Sequence, residues 1–251
     1  MSNILVAKNY TITDHTKWWD DRSTETSLVE NYKEMEAICL QSAIENLTDM
    51  DSLHVFTGNA DNIRDVFKIN FYEIYDLWKQ GHNILYCDLD VIFTKPVDYF
   101  SLTGNFRMFN LTDPVSTKDE HYDVTFEHYF NCGIRYYPKD MSQSVWDLGI
   151  EMVENWNPDR WDSEQIIYNA MMFSQNVTAQ DMYDPTRAYQ MLADFRTAQG
   201  QNANTRFNRI SLNDANAIHV HGSRGSSDRL TVMKDLAEGN FDQTDQEVLV
   251  L

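Results

Sequence analysis

From Asn3 to Cys87 the chain reads as strand, helix, strand, helix, strand with short links, and this order constrains the fold more than any other feature. "NILVAKNYTI" (residues 3–12) is the first strand. "SLVENYKEMEAICLQSAIENL" (27–47) places Leu28, Tyr32, Met35 and Cys39 at three- and four-residue steps on one helical face. Ser27 with Glu30 has the form of a capping box at its start. "SLHVFTG" (52–58) is a short strand. In the second helix (62–81), Ile63, Val66, Phe67, Phe71, Ile74 and Trp78 form the apolar face, Asp61 is the expected cap and Gly81 the expected stop. "NILYC" (83–87) is the third strand. Strands joined by single helices pair in parallel through right-handed crossovers, and ligands of such sheets bind beyond the carboxyl ends of the strands.

Further on, "NFRMFNLT" (105–112) and "YFNCGIRYYP" (129–138) read as strands. The segment 142–156 reads as a helix ended by Pro158, and 161–173 as another, capped by Asp162. Residues 179–213 are polar and weakly periodic. "NAIHVHGSRG" (216–225) is a last strand running into a glycine-rich turn, and 230–239 a terminal helix. No internal repeat or compositional break divides the chain, so one domain over residues 1–251 is expected. With 42% hydrophobic and 13% aromatic residues, the chain can bury a core and is not of the disordered class. It has no apolar run long enough for a membrane helix, and its first residues read as a strand, not a signal peptide. Cys39, Cys87 and Cys132 are odd in number and lack metal-type spacing; reduced thiols in a cytoplasmic protein are the expectation.

The third strand runs into Asp88-Leu89-Asp90. An apolar strand driven towards paired negative charge holds a metal, presents a nucleophile, or merely ends at a polar turn. Alternation along an extended segment would place both carboxylates on one side, where hard oxygen ligands suit Mg²⁺ or Mn²⁺. The formal charge of −19 sharpens the choice. Such a field repels nucleic acid and anionic membranes, and it also repels any anionic small ligand unless a local cation reverses it.

"HNILYCDLDVIFTKPVDYF" resembles the D-x-D segment of glycosyltransferases of the GT-A fold that use nucleotide-sugars, most of all the retaining group that includes glycogenin and bacterial galactosyltransferases. The resemblance implies an α/β fold with a mainly parallel central sheet flanked by helices, and a divalent ion, usually Mn²⁺, held by Asp88 and Asp90 against the donor's diphosphate. "YFNCGIRYYPKDM" resembles the family's N-x-G strand, which assigns Asn131 to the donor sugar and gives Gly133 close backbone approach. "WDSEQIIYNAM" resembles the acid–Gln pair at a helix start, which assigns Glu164 to sugar hydroxyls, Gln165 to the anomeric centre, and Asn169 to the asparagine that follows. Glu stands where the family commonly has Asp. "AIHVHGSRG" resembles the late H-x-x-G segment, with His219 as third metal ligand and Gly222 as its glycine; His221 competes with His219 on the same side of the strand. The lysine that usually follows is absent, and Arg224 is the nearest cation. Tyr10 resembles the aromatic that stacks on the donor base, and Lys68 the basic residue facing the diphosphate or sugar.

The reading is therefore a glycosyltransferase that moves a hexose from a nucleoside diphosphate sugar, UDP-linked by expectation, to a carbohydrate or other hydroxyl acceptor, with Mn²⁺ or Mg²⁺ as cofactor. No nucleic acid and no membrane span enter it. Two alternatives remain open on sequence: a phosphatase of the haloacid dehalogenase type, whose first aspartate is a nucleophile, and a module that binds nucleotide-sugar without turnover. Against the phosphatase, Val91-Ile92 follows the pair where that group has a small residue and threonine, and the motif lies behind two strand–helix units.

Overall fold

The computed structural model describes residues 2–12, 26–113, 117–126, 128–157, 163–178, 184, 186–192, 214–221 and 226–240. Strand β1 (Asn3–Ile12) is followed by α1 (Thr26–Asn46), β2 (Ser52–Ala60), α2 (Ile63–Lys79) and β3 (Asn83–Cys87), in the order expected. Then come β4 (Val91–Phe93), β5 (Arg107–Asp113), the small hairpin β6 (Thr117–Asp119) and β7 (Val124–Phe126), and β8 (Tyr129–Tyr137). Helices α3 (Gln143–Glu154) and α4 (Ser163–Phe173), strands β9 (Tyr189–Leu192) and β10 (Ala217–His221), and helix α5 (Ser226–Ala237) complete the order.

The main sheet runs β2-β1-β3-β8-β5. β2, β1 and β3 are parallel, β8 is antiparallel to both its neighbours, and β5 therefore returns to the common direction. The expectation of a mainly parallel sheet holds. A second sheet, β4-β10-β9, stands at its carboxyl end, with β4 antiparallel and β9 parallel to β10.

Alternation along the strands feeds two cores. Leu5, Ala7, Leu85 and Cys87 face α1, the second sheet and α5, meeting Met35, Cys39, Ile218 and Met233. Ile4, Val6, Ile84 and Tyr86 face α2, α3 and α4, meeting Phe71, Ile74, Trp146 and Tyr168. Both faces of β3 and of the first half of β1 are covered, which is why those stretches are near-continuously apolar, whereas β2 at the sheet's edge is mostly exposed.

Several local expectations need correction. Asn62, not Asp61, caps α2: its side chain accepts the Asp65 N–H at 3.1 Å, because it is the residue whose extended backbone precedes the first helical turn. Gly81 ends the helix as expected, with φ 85°, a conformation that costs glycine little. The stretch read as polar and weakly periodic contains β9, a short strand held by pairing with β10. The Ser27 side chain, Pro158 and Asp162 lie outside what is described. Cys39 and Cys87, distant in sequence, face one another with their Sγ atoms 3.7 Å apart, both buried thiols. Among the described residues no helix is long and apolar enough to cross a membrane.

Candidate active site

Asp88 and Asp90 lie beyond the carboxyl end of β3, as expected, but they do not sit on an extended segment. The chain turns there: Val91 N–H donates to Asp88 C=O at 3.2 Å, and Asp88 to Asp90 form the link into β4. The turn, not strand alternation, brings the two carboxylates together. It is stapled on both sides. Asp88 N–H donates to Gly133 C=O on β8 at 2.8 Å, and Val220 N–H on β10 donates to Asp90 C=O at 2.7 Å. Leu89 between them is buried in the core.

The register of β10 on β4 pairs His219 with Val91 and aims the imidazole into the turn. His219 Nε2 lies 3.1 Å from Asp90 Oδ1 and 3.9 Å from Asp88 Oδ2. One ligand atom from each of Asp88, Asp90 and His219 falls within 4.8 Å of the others, so these three residues could hold a metal ion. Two carboxylates and one imidazole are a donor set that fits Mn²⁺ or Mg²⁺. His221 does not join this cluster; its ring lies 5.8 Å from that of His219, and burial with the neighbouring imidazole lowers its pKa to about 4.

Gly133 makes the packing of His219 feasible. A Cβ at Gly133 would come within 2.4 Å of His219 Cε1 and 2.7 Å of Nδ1. Nδ1 is buried without a hydrogen-bond partner among the described residues. The ring is therefore oriented by its Nε2 bond to Asp90 at one end and by shape at the other, by the bare backbone of Gly133 beneath it. The N-x-G glycine was expected to allow close approach to its backbone, and the group that approaches it is the His219 ring.

Charge alternates through the site. Arg229 on α5 donates from Nη1 to Asp90 Oδ2 at 2.6 Å, and Tyr86 donates its hydroxyl to Asp88 Oδ1 at 2.6 Å. Burial would raise the Asp90 carboxyl, but His219 and Arg229 outweigh it and hold the group well below the usual range. Burial pushes the Asp88 carboxyl up, with help from the charge of Asp90 and against the pull of Lys8 and His219. Burial works against the charged form of His219, yet the Asp90 carboxylate more than compensates and raises its pKa. Burial and the charge of Asp88 keep the Tyr86 phenol protonated.

Glu164, at the start of α4, is clamped. Its Oε1 accepts from Lys8 Nζ at 3.3 Å and from Arg135 Nη1 at 3.0 Å. Arg135 is wholly buried, its guanidinium carbon 3.9 Å from the ring centre of Tyr86 and 3.8 Å from that of Tyr168. A cation between two aromatic faces is stabilised by both. Replacing Arg135 with methionine keeps the stem but leaves Glu164 with Lys8 alone; thermal or urea unfolding should show a loss of about 3 kcal/mol, the scale for breaking a buried pair.

Asn131 on β8 accepts the Gly133 N–H at 2.7 Å and donates to Gln165 Oε1 at 3.1 Å, so it shapes its own strand and aims Gln165. Asn169 is structural: buried, it exchanges two bonds with the Phe130 backbone at 2.9 and 2.8 Å, fastening α4 to β8. Tyr10 lies against Gly58 and bonds Glu73 on α2 through its hydroxyl, and no bond ties it to the aspartates. Lys68, half-buried on α2, makes no ion pair or hydrogen bond among the described residues. Gly222 and Arg224 lie outside the described residues.

Sequence reasoning missed Lys8, Tyr86, Arg135 and Arg229. The first two had a signal: Lys8 shares a strand face with Tyr10, and Tyr86 lies two residues before Asp88. An arginine inside the apolar "YFNCGIRYY" was a third. Arg229 had none, because only the docking of α5 brings it to Asp90.

No protein-family profile matches the chain, and no curated protein matches it in sequence. Solved structures do match in shape. A glycosyltransferase involved in glycosylation of the major capsid of PBCV-1 aligns at TM-score 0.49 with 10% identity, over 92% of this chain and 98% of that one. The galactosyltransferase LgtC, solved in complex with donor and acceptor sugar analogs, aligns at TM-score 0.52 with 13% identity, over 94% of this chain and 95% of that one. The chain has the GT-A fold. The correspondence with LgtC runs nearly end to end in both chains. A fold of this kind sets aside the dehalogenase-like alternative, which needs another one. Within the GT-A frame the D-x-D turn, β8 and α4 converge where the parallel strands end.

Proposed function

We propose that this chain is an enzyme that transfers a hexose from a nucleoside diphosphate sugar, UDP-linked, to a hydroxyl-bearing acceptor, with a divalent ion held by Asp88, Asp90 and His219. The observation that carries this reading is the meeting of those three side chains, two from the turn between β3 and β4 and one from β10, at the carboxyl edge of a GT-A sheet. Mn²⁺ suits the set better than Mg²⁺ because one ligand is an imidazole nitrogen. When bound, the ion supplies Lewis-acid stabilisation to the departing diphosphate.

The rest falls to the chain's own groups. Lys8 and Arg135 fix Glu164, so its carboxylate is a rigid acceptor for sugar hydroxyls. Asn131 aims Gln165 towards the anomeric centre, and a pre-aimed side chain lowers the entropic part of the barrier. Lys8 exerts a favourable charge on Asp88, and Arg229 brings positive charge next to Asp90. Thus a chain of charge −19 carries local cations at the edge where an anionic donor must enter. Tyr10 is assigned to the donor base, and Lys68, Gly222 and Arg224 to its phosphates. Retention of the anomeric configuration rests on the motif resemblance, and the anomeric coupling of the first product tests it. The free thiols of Cys39, Cys87 and Cys132 fit a single domain working in a reducing cytoplasm.

The test is turnover. Wild-type protein releases UDP from a UDP-hexose with Mn²⁺ and stops in EDTA; binding without release would favour the non-catalytic module. His219→Ala loses about 100-fold in Mn²⁺ affinity, the upper end of what losing even an outer partner of a ligand costs, whereas His221→Ala binds as wild type does. Equal losses from both would break the assignment of His219.

A further inference from the structure

Glu164 lines a cleft between α2, α3 and α4. Its other walls include Phe67 of α2, Val153 of α3, Trp156 just beyond α3, and Ile167 of α4. The empty space is about 170 Å³ with its open mouth included. The enclosed part has room for about one methyl group or one water. The Phe67 and Trp156 rings stand 5.8 Å apart, tilted by 34°. The Lys8 ammonium lies 4.4 Å from the Phe67 ring centre, so the cleft adjoins the Lys8–Glu164 pair. Two polar groups of this apolar wall have bonding capacity left. Lys8 and Arg135 both donate to Glu164 Oε1, which leaves Oε2 to a ligand. Trp156 is 5% exposed, and its Nε1 is buried with no partner among the described residues. A buried N–H without an acceptor is costly, and folded proteins rarely keep one.

We infer that this cleft holds the acetamido group of the donor sugar, so that the chain uses an N-acetylhexosamine donor in preference to an unsubstituted hexose donor. This rests on the proposed donor site, in which Glu164 contacts the sugar. An acetamido group carries one N–H, one carbonyl oxygen and one methyl. The cleft offers an acceptor at Glu164 Oε2, a donor at Trp156 Nε1, and an apolar enclosure of methyl size. A hydroxyl leaves the enclosure unfilled. A bare methyl, such as that of a 6-deoxyhexose, leaves the indole N–H without an acceptor. Two cations fix the Glu164 carboxylate before any sugar arrives, so it meets the amide N–H with little ordering still to be done.

The experiment measures kcat/KM for UDP release by the full chain with Mn²⁺. The donors are UDP-N-acetylglucosamine and UDP-N-acetylgalactosamine, UDP-glucose and UDP-galactose, and UDP-6-deoxyglucose. The better N-acetyl donor exceeds its parent hexose donor about tenfold, the lower end for one carbon group in an apolar pocket. Trp156→Phe keeps an aromatic wall and removes the N–H. Val153→Ile adds one methyl to the enclosure. Each lowers the ratio of N-acetyl to parent donor about fivefold, the first by a lost hydrogen bond and the second by lost room. A variant that was only less stable would slow all donors alike and leave the ratio where it was. An unchanged ratio in both variants overturns the inference and leaves the transferase reading standing. So does wild-type protein that uses a parent hexose donor or UDP-6-deoxyglucose as well as the N-acetyl donors. Wild-type protein that releases UDP from no donor overturns both.

Discussion

Replacing Asp90 with asparagine lowers metal-dependent sugar transfer by about a thousandfold, the upper end for removing one charge-stabilising group. Asp90 is the pivot of the site. One oxygen faces His219 and the other holds Arg229, and the backbone carbonyl of the same residue pairs with β10. Asparagine keeps the size and one acceptor oxygen, so the turn still closes. It cannot keep both contacts, because its amide group would meet either a guanidinium or the bound ion with a donor. It also removes the charge that compensates Arg229 and His219, which costs about 3 kcal/mol of stability on the scale of a broken buried pair. Turnover of UDP-hexose with saturating Mn²⁺, alongside a thermal melt, separates the two effects. A variant that melts early but transfers at the wild-type rate would remove Asp90 from the chemistry.

Gly133→Ala disables the same site without replacing a ligand. The added methyl would stand 2.4 Å from His219 Cε1, closer than any real contact, so the imidazole must move. It has no hydrogen bond at Nδ1 among the described residues to resist, and the stiff surroundings leave the strand little room to yield. Overpacking costs about 1–3 kcal/mol, and displacement of one ligand costs about 10–100-fold in Mn²⁺ affinity. The diagnostic is a double-mutant cycle. If the methyl acts by displacing the ring, Gly133→Ala with His219→Ala binds Mn²⁺ no worse than His219→Ala alone. Additive losses would mean that Gly133 acts by another route.

The strand–helix alternation was legible because parallel strands buried on both faces must be apolar, and amphipathic helices must repeat their apolar residues. Asp88 and Asp90 were legible for a related reason: charge at the end of a buried strand is conspicuous. What escaped was set by tertiary contact. Alternation was the wrong reason for the two carboxylates meeting, because a turn closes between them. β9 is four residues long and owes its conformation to β10. Arg229 arrives on a helix whose docking against α1 leaves no local trace in the sequence. Lys8, which supplies an ion pair to Glu164, escaped because only the packing of α4 on the sheet brings the two together. Asn169 looked functional by position, yet its buried bonds to the Phe130 backbone make it a fastener.

The central claim, that a divalent ion gripped by Asp88, Asp90 and His219 lets this acidic protein accept an anionic nucleotide-sugar, is tested most directly by thermal shift across a panel of nucleoside diphosphate sugars with Mn²⁺ or with EDTA. A ligand at about 100 times its dissociation constant stabilises the folded state by about 2.7 kcal/mol. The account predicts that UDP-hexose and Mn²⁺ together raise the melting temperature by several degrees more than the sum of each alone, and that EDTA abolishes the gain. Equal shifts with Mn²⁺ and with EDTA, or no shift with any donor, would contradict it.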